Sequence, residues 1–109
     1  RKYVGLDHLV DDVVSRLGSV DAAYIIGDYA RGIDSGLIDV VLVGSVDSES
    51  LEKFVFKTGK LIDRKIRPLV LDSEEFEKLW VRLDIDHALP IWNKAKDRIS
   101  QRLVSAPTD

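Results

Sequence analysis

The chain has 109 residues, 45% of them apolar and 32% charged, with a formal net charge of -3; that length fits one domain with one real core and excludes a large two-domain enzyme. It contains no cysteine, which rules out disulfides, thiolate nucleophiles and cysteine-based zinc sites and suits a reducing cytosol. No apolar run approaches the roughly 20 residues of a membrane helix and nothing at the start reads as a signal peptide, so a cytoplasmic protein away from membranes is expected. Arg1 at the start and the absence of methionine point to a fragment of a longer protein, with residues 1–104 forming a single domain and 105–109 a frayed tail.

In chain order, Leu6, Leu9, Val10, Val13, Val14 and Leu17 recur at three- and four-residue steps and predict a first helix, which Gly18 stops. Three short apolar runs rich in β-branched residues, 22–26, 37–43 and 66–71, are bounded by Gly, Asp or Pro and predict buried strands. A short helix is expected between the first two. Between the second and third, Asp47 or Ser48 caps a helix carrying Leu51, Phe54, Val55, Leu61 and Ile62; Gly59 weakens its last turn by about 1 kcal/mol relative to alanine. A third helix starts after Asp72 or Ser73, with Glu74 and Glu75 at the positive end of its dipole and Phe76, Leu79 and Trp80 facing inward. Residues 83–90 are broken, Pro90 ends any helix near Leu89, and a final charged helix is predicted over 93–103. Helices alternating with strands predict an α/β domain, a small mixed sheet flanked by helices.

The charge is uneven. Residues 1–50 hold nine acidic and four basic side chains, and residues 51–109 hold ten and twelve. Lys53, Lys57, Lys60, Arg64, Lys65 and Arg67 form a basic stretch that reads as a solvated helix face, because a domain this acidic is a poor candidate for dominant nucleic-acid binding.

Most of the chemical information lies in Ile25-Ile26-Gly27-Asp28-Tyr29-Ala30-Arg31-Gly32 and in the following strand, where Asp39 stands near the start. A strand ending in glycine, a short helix, a glycine loop and a strand with an early carboxylate can set backbone N–H groups against phosphate and carboxylate against a phosphate-bound metal. These residues resemble the nucleotidyltransferase superfamily that shares its core with the palm of DNA polymerase beta. Its hallmark is Gly-Ser-x-Ala-Arg-Gly, then about ten residues, then Asp-x-Asp opening a strand, with a third Asp on a later strand. Gly27, Ala30, Arg31 and Gly32 match, as does Asp39 as the second Asp of the pair, and the likeness extends from about Leu6 to Phe76. The resemblance implies that Gly27, Asp28, Arg31 and Gly32 bind phosphate or nucleotide and that Asp39 is the metal ligand and catalytic carboxylate. Some relatives carry such a domain behind a winged helix, and others pair it with a toxin-like partner.

The departures matter as much. Asp28 replaces the family's serine, Leu37 replaces the first Asp, and the 66–71 strand offers no carboxylate. Two Mg²⁺ ions about 4 Å apart repel by roughly 17 kcal/mol at an effective dielectric of 20, which Asp39 alone is poorly equipped to offset. The first expectation is therefore a degenerate domain needing no cofactor. It would act as a regulatory, ligand-sensing or dimerisation module, including within a transcriptional regulator, with other domains of the parent chain, a protein partner or a second copy as its contacts. Nucleic acid would be reached only through a fused DNA-binding domain. The alternative is an active enzyme using Mg²⁺ and a nucleoside triphosphate to modify a hydroxyl, with Asp28, Asp34 or Asp72 as substitute carboxylates around Asp39.

Each residue also has a plainer reading. Asp39 can pair locally, Arg31 can clamp its loop, Gly27, Gly32 and Gly36 can serve tight turns, Tyr29 can pack, and Asp28 can cap the helix behind it for about 0.3–1 kcal/mol. Asp84, Asp86 and His87 match no standard metal spacing and read as a solvated bend. His8 has no nucleophile to serve. Trp80 and Trp92 are core or interface anchors, Trp92 the better interface candidate. There is no nucleophile elbow, P-loop or dinucleotide fingerprint.

Overall fold

The computed structural model describes residues 16–94. The predicted first helix up to residue 15, His8, the predicted final helix beyond Lys94 and the 105–109 tail lie outside them. Four strands form one sheet: β1 (Gly18–Ile26), β2 (Leu37–Val46), β3 (Lys65–Leu71) and β4 (Leu89–Asn93), in the order β3-β2-β1-β4. β1 runs antiparallel to both β2 and β4, and β2 runs parallel to β3. The parallel pair is joined by helix α1 (Ser48–Ile62), and helix α2 (Ser73–Leu79) follows β3. Single 3-10 turns lie at Tyr29–Arg31 and Ile85–His87. The mixed sheet flanked by helices is the expected architecture.

β2 is buried on both faces from Val40 to Val43, which is why that stretch reads as a continuous apolar run. Ile38, Val40 and Leu42 join Leu17, Val20, Ala23, Ile25, Phe54 and Ile66 beneath α1. Val41 and Val43 point the other way, to Ala22, Leu71, Phe76 and Ile85 beneath α2. Tyr24 stacks on Phe76 at 5.3 Å between ring centroids, and Trp80 meets Phe76 edge-on at 5.2 Å.

The helix ends follow their sequence signals. Asp47 caps α1 by accepting from the Ser50 N–H at 3.0 Å. Asp72 begins α2 with a reciprocal capping box: it accepts from the Glu75 N–H at 2.7 Å, while Glu75 accepts from the Asp72 N–H at 3.0 Å. Asp72→Ala is expected to cost about 1 kcal/mol, read as an earlier urea midpoint with an unchanged slope; an unshifted midpoint would show that the box contributes nothing.

One expectation is corrected. Pro90 does not stop a helix but sits inside β4, an edge strand whose pairing with β1 slips between Ala23 and Tyr24; an edge at an irregularity tolerates a residue without an N–H. Asn93 ends that strand and Lys94 is already helical, while the rest of the helix expected over 93–103 lies outside the described residues. Trp92, read as a core or interface anchor, packs half-buried against the core beneath α1. No helix among the described residues is long and apolar enough to cross a membrane.

Candidate functional site

The loop between β1 and β2 begins at Gly27, whose φ is +75°. A Cβ there would stand 3.1 Å from Asp39 Oδ2, so glycine allows both the left-handed turn and the close approach of the loop to the carboxylate. The Asp28 carbonyl accepts from the N–H groups of Arg31 and Ile33, each at 2.9 Å, and Gly32 donates to the Tyr29 carbonyl at 3.1 Å. Asp28 makes no side-chain cap, contrary to expectation; its own backbone is helical, which leaves its carboxylate badly placed to turn back onto the next N–H groups. It faces Arg31 at 3.8 Å instead. Tyr29 packs against the core beneath α1.

Asp39 lies one register step from the loop, opposite Ile26 on β1 and Arg67 on β3. Strand alternation puts Leu37, Asp39 and Val41 on one face of β2, and Lys65 and Arg67 on the same face of β3. The Arg67 guanidinium grips Asp39 with two parallel bonds, Nε to Oδ1 at 2.7 Å and Nη2 to Oδ2 at 3.0 Å. The Asp39 hydrogen bond and charge, with a smaller contribution from Asp28, raise the Arg67 pKa above its already high ordinary value. A bidentate pair is the strong form of this interaction, although both side chains keep contact with water. Sequence reasoning placed Arg67 in a solvated basic face and missed this role. The available signal was parity: Lys65 and Arg67 alternate with Ile66 and Pro68.

A second chain of charges ties the loop to the turn before β4. Arg31 Nη2 donates to Asp84 Oδ2 at 3.4 Å, and Asp84 Oδ1 lies 2.8 Å from His87 Nδ1. Asp86 accepts from Trp80 Nε1 at 3.0 Å. Arg31 therefore clamps its loop, and Asp84 pairs with Arg31 and His87 while Asp86 turns to Trp80, so the three side chains do not share a common centre. The Asp84 hydrogen bond raises the His87 pKa above its ordinary 6.5, and the same bond holds Asp84 below its ordinary 3.8. A raised histidine contributes stability that is complete below the unfolded value near 6.5 and disappears as pH rises through the higher folded value. A lowered carboxylate contributes above 3.8 and loses its contribution as pH falls through the folded value. The pair is thus tightest from about pH 4 to 6.5. An NMR titration is expected to place the His87 midpoint above 6.5 and to show it falling in Asp84→Asn; an unmoved midpoint would contradict the pairing.

The proposed substitute carboxylates are engaged elsewhere. Asp34 accepts from Arg64 Nε at 2.9 Å and from the Gly36 N–H at 3.2 Å, and also pairs with Arg64 Nη2. Arg64 in turn donates to the Ile62 and Asp63 carbonyls at the end of α1, so this cluster joins that helix end to the loop entering β2. Asp72 caps α2. Among the described residues, no three His, Asp or Glu side chains converge as a metal-binding group would require. The basic stretch is not one helix face either: Lys53, Lys57 and Lys60 lie on α1, Lys65 and Arg67 on β3, and Arg64 between them. An open groove of about 470 Å³ lies beside this second cluster, lined by Gly36, Phe56, Lys60, Arg64 and Lys65 among others.

No protein-family profile matches the sequence, and no curated protein matches it. Solved structures do. A chain from the crystal structure of a mutant MntA–HpeT toxin–antitoxin pair superposes with a TM-score of 0.60 at 13% identity, over 85% of this chain and 74% of that one. A candidate nucleotidyltransferase from Sulfolobus solfataricus gives 0.51 at 23% identity, over 84% and 79%. The chain has the nucleotidyltransferase fold. A further likeness, TM-score 0.53 at 10% identity over 84% and 73%, is to a chain of the tri-AMPylated Shewanella oneidensis HEPN toxin in complex with its MNT antitoxin. On this nucleotidyltransferase fold, the loop after β1 and the opening of β2 bring Gly27 and Asp39 together. Arg31 and Gly32 belong to the same loop, where Gly32 closes the 3-10 turn and Arg31 points to Asp84.

Proposed function

We propose that this domain is a catalytically degenerate nucleotidyltransferase-fold module with a regulatory role, exerted through a protein partner. The observation that carries the reading is the Arg67–Asp39 pair: the one carboxylate left at the expected metal position has both oxygens bonded by a guanidinium. The donor set around it does not fit a divalent ion pair. Position 37 on the same strand face is leucine, and Asp34 and Asp72 are committed to Arg64 and to the start of α2. Asp28 faces Arg31.

The role of a partner rests on the company of the similar structures, which include toxin–antitoxin pairs. A regulatory module of this kind keeps the fold's loop and sheet as a rigid surface and needs no transfer chemistry. Ligand sensing and self-association are the forms that regulation would take without a partner chain, and a nucleotide held without metal is compatible with either.

The expected result is no transfer of label from radiolabelled ATP, GTP, CTP or UTP to protein, RNA or the protein itself, with Mg²⁺ or Mn²⁺ present. Transfer that Asp39→Asn abolishes would overturn the reading in favour of a metal-dependent enzyme acting on a hydroxyl acceptor.

A further inference from the structure

We infer that the groove at the end of α1 is a docking site for a short acidic segment of a partner protein, whose carboxylates meet Lys60 and Lys65 while one apolar side chain seats against Phe56. The inference rests on the partner role proposed above and deepens it by naming the surface and the chemistry that this surface selects.

The groove exists because two positions beside it carry no side chain. Gly59 stands in the last turn of α1, where a Cβ would be 2.9 Å from the Arg64 carbonyl oxygen. Glycine lets the helix end close on the chain as it turns into β3, and the Gly59 carbonyl accepts from the Arg64 N–H at 3.1 Å. Gly36, just before β2, accepts from the Lys65 N–H at 2.9 Å, and a Cβ there would meet no heavy atom of the described residues within 4 Å. Around these bare positions the groove of about 470 Å³ is lined by Val55 and Phe56 from α1 and by Lys65 and Ile66 from β3, a size within the range of ordinary binding clefts.

Its charges are sorted. Arg64 is spent inside the protein: it pairs with Asp34 and donates to the Ile62 and Asp63 carbonyls, covering the negative end of the α1 dipole that would otherwise repel an anion. Lys60 and Lys65 are exposed, and among the described residues no carboxylate lies within ion-pair distance of either. Lys53 and Lys57 extend the positive charge along the same exposed side of α1. Asp63 is the one acidic side chain lining the groove. The exposed Phe56 ring beside half-buried Val55 supplies an apolar seat among these cations, the anchor-and-rim arrangement of a protein interface.

The same features disfavour nucleic acid. Lys60 Nζ lies over the Phe56 ring, 4.8 Å from its centroid, so an ammonium occupies the face on which a base would stack. The net charge of -3 repels a polyanion at long range, whereas the few carboxylates of a short segment respond to the lysines next to them.

The test uses two fluorescein-labelled probes, the peptide Asp-Glu-Leu-Phe-Glu-Asp and a single-stranded RNA of uridylates of equal length. Anisotropy follows binding by the full chain, amide chemical shifts locate it, and circular dichroism checks that each variant is folded. The peptide is expected to bind saturably and more weakly as salt rises, shifting the amides of Gly36, Gly59, Lys60 and Lys65. Lys60→Glu with Lys65→Glu should weaken it at least about tenfold, and Phe56→Ser should weaken it without changing the salt dependence. Lys78→Glu with Arg82→Glu, an equal change of charge at and just after α2, should leave it within about twofold of wild type. If the charge-reversed groove variant does not fold, Lys60→Gln with Lys65→Gln replaces it and should still weaken binding. No saturable peptide binding up to about 1 mM, shifts confined to residues outside the groove, or an equal loss in the α2 variant overturns the inference, as does tighter binding of the RNA than of the peptide. None of these results touches the degenerate reading, which stands or falls on nucleotide transfer by the wild type.

Discussion

Gly44→Ala is expected to destabilise the domain by about 3 kcal/mol or more, among the largest effects of any single exchange. Gly44 lies where β2 passes the irregular step in β1 between Val20 and Ala22, at φ +134°. A Cβ placed there would stand 2.2 Å from the Ser19 carbonyl oxygen, 3.1 Å from Val20 Cα and 3.2 Å from the Asp21 nitrogen. All three are backbone atoms of the paired strand, so relief requires the β1–β2 ladder to open. The backbone angle adds its own strain, since side-chain-bearing residues rarely adopt it. Urea unfolding of the purified variant would read the loss directly. A loss below about 1 kcal/mol with an unchanged slope would mean that the two strands do not approach as described.

Leu42→Ala is expected to cost about 3 kcal/mol, within the range of about 2–5 for buried leucine truncations. Leu42 is 0% exposed and sits at the centre of β2, against the core that Val20, Ala23, Phe54 and Ile66 build beneath α1. Its removal loses the transfer energy of the missing carbons and leaves a cavity that neighbours on a rigid sheet fill poorly. In a domain of this size the melting temperature should fall by roughly 15 °C. Phe56→Ala on α1 makes the contrast: that ring is 64% exposed, and its contact with Lys60 Nζ at 4.8 Å is a surface cation–π pair worth about 0.5–1 kcal/mol. Calorimetry giving both variants similar melting temperatures would contradict the assignment of the core.

The central elements were legible because their signals are local. An apolar run bounded by breakers marked β1, β2 and β3, and Asp47 and Asp72 marked the starts of both helices through the same oxygen-to-N–H logic that the structure shows. β4 was not legible. It is a short edge strand containing Pro90, and the same proline is equally the mark of a helix end; only the docking of Leu89–Asn93 against β1 separates the two. The Gly27–Gly32 loop and Asp39 stood out through their resemblance to a short family motif, a local pattern within a segment of about fifteen residues.

The pairs that define the character of the site could not be read in this way. Arg67 meets Asp39 across 28 residues and Arg31 meets Asp84 across 53, and both contacts depend on how crossovers return the chain. The β2–β3 register alone makes Arg67 a partner of Asp39 and not of Leu37. Charge counting along the chain treated the same arginine as one more member of a basic run. Parity within β3 narrows the choice to a face, and tertiary register completes it.

The most direct test of the central claim, that this nucleotidyltransferase fold lacks a working metal–nucleotide site, is a thermal-unfolding titration. ATP, GTP, CTP and UTP would each be added with and without Mg²⁺, to wild type and to Asp39→Asn. A ligand at 100 times its dissociation constant adds about 2.7 kcal/mol, roughly 10 °C or more in a domain of this size. The expected result is no Mg²⁺-dependent shift with any nucleotide in either protein. A Mg²⁺-dependent rise of that size in wild type, lost in Asp39→Asn, would contradict the account.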